Sequence, residues 1–441
     1  IENEFARLSK EKADEDAIKV FTENLRQLLL SAPLGQKRVL ALDPGYSNGC
    51  KIACLDAQGS LLHHEIIYPH PPKRLYAQAT VAMMRMINQY HIEAIAIGNG
   101  TASRESKEFV TDCITHLSEA GKETPKVFVV SEDGASIYSA SAIALEEFPN
   151  EDVTTRGAVS IGRRLIDPLA ELVKIDPKSI GVGQYQHDVD QAELRRSLYL
   201  TVESCVNQVG GNLNTASKHL LMYVSGLGSV LAQNIVDYRK EHGAFTSRTQ
   251  LKKVPRLGTV AYQQSAGFLR IPNAKNPLAN SAVHPESYHI VEAMAKNKNC
   301  TVKELINNKK LLEHINLEEF VSTEVGLLTL NDILHELEKP GRDPREQLKE
   351  FEFDKSVHTI VDLKEGMELP GIVTNITNFG VFVDVGVHQD GLVHISQLNS
   401  KFVSNPNTIV HLHQHVYVKV IEIDSKRNRI GLSMKNIKQP I

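Results

Sequence analysis

The sequence predicts a multidomain chain built as α/β, then α, then β. Three observations carry this. The 441 residues exceed what one hydrophobic core organises, so several domains are required. Residues 37–175 read as three consecutive strands followed by alternating helices and strands, the order of a mixed-sheet α/β domain. Residues 365–436 hold five short β runs separated by turns, enough for a small closed barrel, and the stretch between is helical with Gly-marked turns.

Composition sets the frame. The chain is 41% hydrophobic and 23% charged, ordinary for a globular protein. Its net charge of -4 does not point to nucleic acid, so local charge must carry that argument. Cys50, Cys54, Cys113, Cys205 and Cys300 form no Cys-x-x-Cys pair, which indicates neither a disulfide framework nor a zinc site and suits an intracellular compartment. No apolar run approaches the roughly 18 residues that span a bilayer, and no signal-peptide pattern is present, so no membrane partner is expected. The first residue is Ile1 rather than methionine, and residues 1–36 are read as a helical segment from a longer N-terminal region. There "AIKVFTENLRQLLLSAP" sets Val20, Leu25 and Leu28 near one helical face, and Pro33 stops the helix.

In the α/β domain, "RVLALD", "GCKIACLD" and "LLHHEIIYP" are strands, "AQATVAMMRMINQYH" a helix, "IEAIAIGNG" a strand, "SRESKEFVTDCITHLSEAG" a helix and "KVFVVSE" a strand. Asp43 ends the first strand, just ahead of Pro44 and Gly45. A carboxylate at the end of a buried strand is costly unless something pairs with it. Asp43 is therefore either turn chemistry or a metal-holding acid. "YPHPPK" is a rigid connector. No P-loop is present, so nothing supports an NTPase.

Residues 190–272 form the first helical domain. "LLMYVSGLGSVLAQNIVDYRKEHGAF" is a helix, a tight turn at Gly226 and Gly228, and another helix; "LKKVPRLGTVAYQQSAGFL" repeats the shape. The glycines allow close backbone approach, and amides at the start of the following helix face a phosphate, which selects Gly226, Gly228, Ser229, Gly258 and Thr259. Between residues 218 and 275 lie nine Lys and Arg, among them Lys252, Lys253 and Arg256, against Asp237 and Glu241; nine less two leaves +7. One strongly basic domain in an acidic chain is an electrostatic footprint for phosphate. The alternative is a Gly-turned hairpin acting only as scaffold. Residues 273–360 form a second helical domain, with "EKPGRDPREQ" as a loop.

In the barrel, "GVFVDVG" puts Val381, Val383 and Val385 on one face and Phe382 and Asp384 on the other. In "GLVHIS", Val393 and Ile395 share a face and His394 points the opposite way. Phe382 and His394 then lie outside the barrel, with Phe379 in the turn just before. Exposed aromatics on a small barrel stack unpaired bases, each worth roughly 1–3 kcal/mol. The alternative is that they cap the barrel ends or pack on a neighbouring domain. Residues 365–436 carry six Lys/Arg and six Asp/Glu, so stacking must drive binding and other domains must add to it. "HLHQH" sets His411, His413 and His415 on one side of an extended segment; with no carboxylate or cysteine beside them, they are read as solvent-facing.

Family resemblances sharpen these readings. "GIVTNITNFGVFVDVG", "GLVHISQL" and "VYVKVIEIDSKRNRIGLSMK" resemble the S1 RNA-binding domain, an OB-fold barrel. That resemblance implies an RNA-stacking face of Phe379, Phe382 and His394, with Asp424 and Arg429 beside it. The glycine-turned pair resembles tandem helix-hairpin-helix units, which clamp nucleic-acid backbone without regard to sequence. The α/β domain resembles the YqgF branch of the RNase H-like fold, whose nucleases hold two metal ions with carboxylates from separate strands and a late helix. The matching acids are Asp43, Glu132 in "VVSEDGAS" and Asp167 in "RRLIDPLAEL". Glu132 equally suits a cap on the following helix, and Asp167 ahead of Pro168 a helix start. One departure stands out: where resolvase-type enzymes put a glutamate at the strand end, this chain has Gly98-Asn99-Gly100, and the nearest acid is Glu105.

The domain order, with strings such as "LDPGYSNGCKIACLD", "SEDGASIYSAS" and "NPLANSAVHPE", is similar to the Tex family across essentially the whole chain. The resemblance implies a nucleic-acid-binding factor of transcription or RNA metabolism whose YqgF domain is a scaffold. The expected partner is single-stranded RNA, with DNA and the transcription or translation machinery as further partners; the expected state is a monomer with no metal and no cofactor. Two alternatives stay open: a Mg-dependent RNase H-like nuclease using Asp43, Glu132 and Asp167, and a docking scaffold for polymerase or ribosome.

Overall fold

A computed structural model describes the chain apart from residues 1, 120, 122, 123, 184, 273, 323, 324, 339–342, 344, 346–353, 355, 356, 358, 388, 412, 413, 425, 426, 428, 440 and 441. His413 of "HLHQH" and most of "EKPGRDPREQ" lie outside the described residues. The chain divides into two compact units, residues 1–201 with 347–441, and residues 202–346.

The first unit opens with α1 (Glu2–Leu29), which buries Ile18, Phe21, Leu25, Leu28 and Leu29, the spacing of one helical stripe. Val20 falls beside that stripe and is half-buried, with Phe21 in the expected place. A five-stranded sheet follows: β1 (Val39–Asp43), β2 (Cys50–Leu55), β3 (Leu61–Ile67), β4 (Ala94–Gly98) and β5 (Lys126–Val130), ordered β3-β2-β1-β4-β5. The three leading strands pair antiparallel, and β1, β4 and β5 pair parallel. Mixed pairing follows from chain order: hairpin turns join the first three strands, whereas helices α2 (Tyr76–Gln89) and α3 (Ser103–Glu119) carry the crossovers.

Why is "VLAL" apolar without alternation? Both faces of β1 are covered. Leu40 and Leu42 face Met83, Met86, Phe109 and Val110 of α2 and α3, while Val39 and Ala41 face the opposite layer. After the short helices α4 (Ala135–Ser139) and α5 (Ala142–Glu147), that opposite layer is α6 (Val153–Ile166). The helix approaches closely because its contact residues are small: a Cβ on Gly162 would stand 2.6 Å from Leu55 Cδ1 and 2.9 Å from Ala41 Cβ. Helix α7 (Pro168–Leu172) comes next, and α8 (Gln191–Val209) leads toward the second unit.

The second unit is built mainly of helices. Strands β6 (Gly211–Asn212) and β7 (Leu269–Arg270) pair parallel, and between them run α9 (Lys218–Leu221), α10 (Gly228–His242) and α11 (Thr259–Ser265), with a 3-10 turn at Arg248–Lys253. Then α12 (Tyr288–Asn297), α13 (Val302–Leu305), α14 (Lys309–Glu313) and α15 (Leu327–Glu338) close on a core that includes Val291, Met294, Leu305, Leu330 and Leu337.

The barrel belongs to the first unit. Strands β8 (Glu368–Thr377), β9 (Gly380–Asp384), β10 (Gly391–His394), β11 (His415–Asp424) and β12 (Arg429–Ser433) close in the order β10-β12-β11-β8-β9, and α16 (Ile395–Leu398) follows β10. Val381, Val383, Val385, Val393, Val416, Val418 and Val420 fill the interior, as the period-two pattern requires. The barrel is tied to the α/β domain by Arg104 at the start of α3. Its Nη1 donates to the Gly386 carbonyl at 2.6 Å, and its Nη2 donates to Asp384 Oδ1 at 2.8 Å and to the Val387 carbonyl. Gln27 Nε2 of α1 adds a bond to Asn407 Oδ1 at 3.2 Å. No helix among the described residues is long and apolar enough to cross a membrane.

Candidate nucleic-acid interface

Strand register builds the barrel's outer face. Phe382 on β9 stands opposite Leu392 on β10 and Asn375 on β8, and Leu392 stands beside Gly431 on β12. His394 faces Gly380, and Arg429 faces Asp424. Residues directly opposite share a face, so Asn375, Phe382, Leu392, His394 and Arg429 all turn outward while Val381, Val383 and Val393 turn in. Phe379, in the turn before β9, is 51% exposed. Its ring meets Phe382 edge-on, with centroids 6.2 Å apart and planes at 87°. This is a favourable aromatic geometry.

The imidazole of His394 is oriented by its neighbour. Nδ1 accepts from the Ser396 amide at 3.3 Å and lies 2.8 Å from Ser396 Oγ. A neutral ring held this way carries its proton on Nε2. Asp424 is engaged with its own hairpin: Oδ1 accepts from the Arg427 amide at 3.1 Å. Asn375 and Leu392 were not foreseen from the sequence. Only the β8–β9–β10 register brings them beside Phe382.

In the second unit, Gly226 has φ 80°, and a Cβ there would stand 2.6 Å from Gln264 Cβ. Gly228 and Gly258 meet open space. Neither α10 nor α11 carries a side-chain cap, and Ser229 and Thr259 in their first turns are exposed. Lys252, Lys253 and Arg256 are also exposed, with Lys252 Nζ 4.6 Å from the centre of the Tyr262 ring.

The structure corrects the charge count. Three of the nine cations turn inward onto main-chain carbonyls. Arg248 donates to Val283 at 2.7 Å, to Ala279 at 3.0 Å and to Ser281, and burial pulls its pKa down to about 10. Arg239 donates to the Leu213 carbonyl at 3.1 Å and Arg270 to the Gly267 carbonyl at 2.6 Å, and burial lowers both pKa values. The exposed positive set is Lys240, Lys252, Lys253, Arg256 and Lys275, with Lys218 half-buried.

The three acids of the α/β domain separate. Asp43 and Glu132 come together. Burial raises the pKa of Glu132 and the Asp43 charge raises it further; burial also raises Asp43, against the opposing charge of Lys51. The Gly98-Asn99-Gly100 departure now has a physical reason. A Cβ on Gly98 would stand 2.6 Å from Glu132 Oε2, and one on Gly100 would be closer still to Oε1. Asn99 Oδ1 accepts from the Glu132 amide at 3.0 Å. The glycines are the bed in which the Glu132 carboxylate lies, so a glutamate side chain there would displace it.

Asp167 does not join the pair. It caps α7, accepting from the Ala170 amide at 3.2 Å. The α6 residue beside Asp43 is Gly157, whose Cβ would stand 3.9 Å from Asp43 Oδ2. Asp167 is ten positions further on, about 15 Å at the rise of a helix. Among the described residues no group of three or more His, Cys, Asp or Glu is arranged to hold a metal ion. Two converging carboxylates fall short of the three-acid set that a two-ion nuclease site uses, and no magnesium-dependent step follows from them.

Comparison with known proteins agrees with these elements. Residues 37–166 match the Tex protein YqgF-like domain, 206–270 the helix-hairpin-helix motif, 276–345 an HHH domain and 362–435 the S1 RNA binding domain. The chain is 52% identical over 431 residues to protein tex of Bordetella pertussis, covering 98% of this chain and 54% of that protein. It is 53% identical to the transcriptional accessory protein Tex of Neisseria gonorrhoeae, covering 98% and 56%. It is 34% identical over 494 residues to S1 RNA-binding domain-containing protein 1 of Homo sapiens, covering 98% and 49%. The chain thus spans about half the length of the curated relatives it matches. With its YqgF-like, helix-hairpin-helix and S1 domains in that order, the chain belongs to the Tex family.

Proposed function

We propose that this chain binds nucleic acid, single-stranded RNA above all, in transcription or RNA metabolism. The observation that carries the reading is the continuous outward face of Phe379, Phe382, Leu392, His394 and Arg429 on a closed barrel. Unpaired bases stack on Phe382 and His394, and Arg429 meets phosphate or stacks in turn. The near-neutral barrel supplies little long-range attraction. The exposed cations and uncapped hairpin amides of the second unit add backbone contacts that do not depend on sequence. The names of the bacterial relatives support a place in transcription. The Asp43–Glu132 pair belongs, in this reading, to the folded frame that carries the binding surfaces.

The test is a titration of fluorescent oligo-uridylate with the whole chain and with the double variant Phe382→Ala, His394→Ala. Each stacked base is worth roughly 1–3 kcal/mol, so the double variant should lose tenfold or more in affinity. Unchanged affinity would remove the stacking face from the account.

A further inference from the structure

The two hairpins repeat one turn pattern thirty positions apart. Leu221 and Leu251, Val224 and Val254, and Leu227 and Leu257 are buried in matching pairs. The turn hydrogen bonds repeat as well. The Val224 and Val254 amides donate to Leu221 and Leu251 at 3.1 and 3.0 Å, and the Leu227 and Leu257 amides donate to Val224 and Val254 at 3.1 and 3.2 Å. Gly228 and Gly258 follow, and Val230 and Val260 are both exposed. Position 226 is left-handed at φ 80°, and position 256 is left-handed at φ 64°.

Against that match, three positions turn from uncharged to basic. Met222, Tyr223 and Gly226 of the first hairpin become Lys252, Lys253 and Arg256 in the second. Arg256 is the informative one. Left-handed backbone suits glycine and is unfavourable for a long side chain. The guanidinium is exposed and makes no hydrogen bond or ion pair among the described residues. Among the described residues the side chain gains no hydrogen bond or ion pair that would offset the strain, and such strain points to a role outside the fold.

We propose that the hairpins have divided their work: the second is the electrostatic grip, a cradle of Lys252, Lys253 and Arg256 for a phosphate chain, and the first makes a neutral contact through Met222, Gly226 and Val230. This rests on the reading that the chain binds nucleic acid. Arg256 is held in a turn that glycine would fill more comfortably because its charge is needed at the phosphate. Folding and binding therefore pull in opposite directions at this one residue.

Melting temperature and oligo-uridylate affinity across a salt series, measured on the whole chain, test this. Arg256→Gly should melt higher than the parent and bind roughly fivefold more weakly, with a plot of log affinity against log salt shallower by about 0.7. Arg256→Lys should keep the parental slope, and Met222→Ala should leave it unchanged. A lower melting temperature for Arg256→Gly would overturn the strain argument. Parental affinity and slope in that variant, or a shallower slope in Met222→Ala, would overturn the division of work while leaving the nucleic-acid reading intact. A parent chain that does not bind oligo-uridylate would overturn both.

Discussion

Asp43 and Glu132 hold their protons more tightly in the folded chain than in the unfolded one, because both are desolvated and Glu132 also faces the Asp43 charge. For carboxylates raised in this way, stability is greatest in acid and falls as pH rises through the folded-state values. Asp43→Asn removes one charge from the pair without changing its shape. It should raise the melting temperature at neutral pH, and the gain should shrink as pH falls and be gone below about pH 3, where folded and unfolded aspartates are both protonated. Thermal melts across that range check it; a variant less stable at every pH would show that the Asp43 carboxylate is held by attraction rather than tolerated. From the sequence, Asp43 at a strand end was legible as a costly charge. The resemblance named Glu132 as its companion, but the bed of Gly98 and Gly100 in which the Glu132 carboxylate lies was not legible.

The packing of α6 on the sheet shows what an element needs beyond its pattern. Gly162 sits where a methyl group would meet Leu55 and Ala41, and Ala53 and Ala158 line the same seam. Interiors are close-packed, so an added methyl must push helix and sheet apart. Gly162→Ala should destabilise the α/β domain by about 1–3 kcal/mol, read as a lower denaturant midpoint; an unchanged midpoint would mean the seam is loose. Strands and barrel faces were legible because period-two alternation in "GVFVDVG" and "GLVHIS" separates inside from outside. Charge was less legible. Arg239, Arg248 and Arg270 count toward a basic footprint in one dimension, yet in three they turn to carbonyls. Of the two readings of Asp167, the helix start ahead of Pro168 is the one the structure gives, since a motif cannot show which end of α6 faces Asp43.

Across the whole molecule, the contact that the sequence hides best is the Arg104 clasp, whose partner Asp384 lies 280 positions away. It seats the barrel on the α/β domain, and no local pattern could announce it. The account has two separable sources of affinity, stacking on the barrel and charge on the second hairpin. Charge alone releases counterions, so only charge sets the salt slope. The deciding measurement is oligo-uridylate affinity against salt for the parent chain, for Phe382→Ala, His394→Ala, and for Lys252→Ala, Lys253→Ala. The account predicts a stacking variant whose line lies below the parent's and parallel to it, and a lysine variant whose line is shallower by about 1.4, two phosphates' worth for a single strand. A stacking variant that changes the slope, or a lysine variant that runs parallel to the parent, would contradict it.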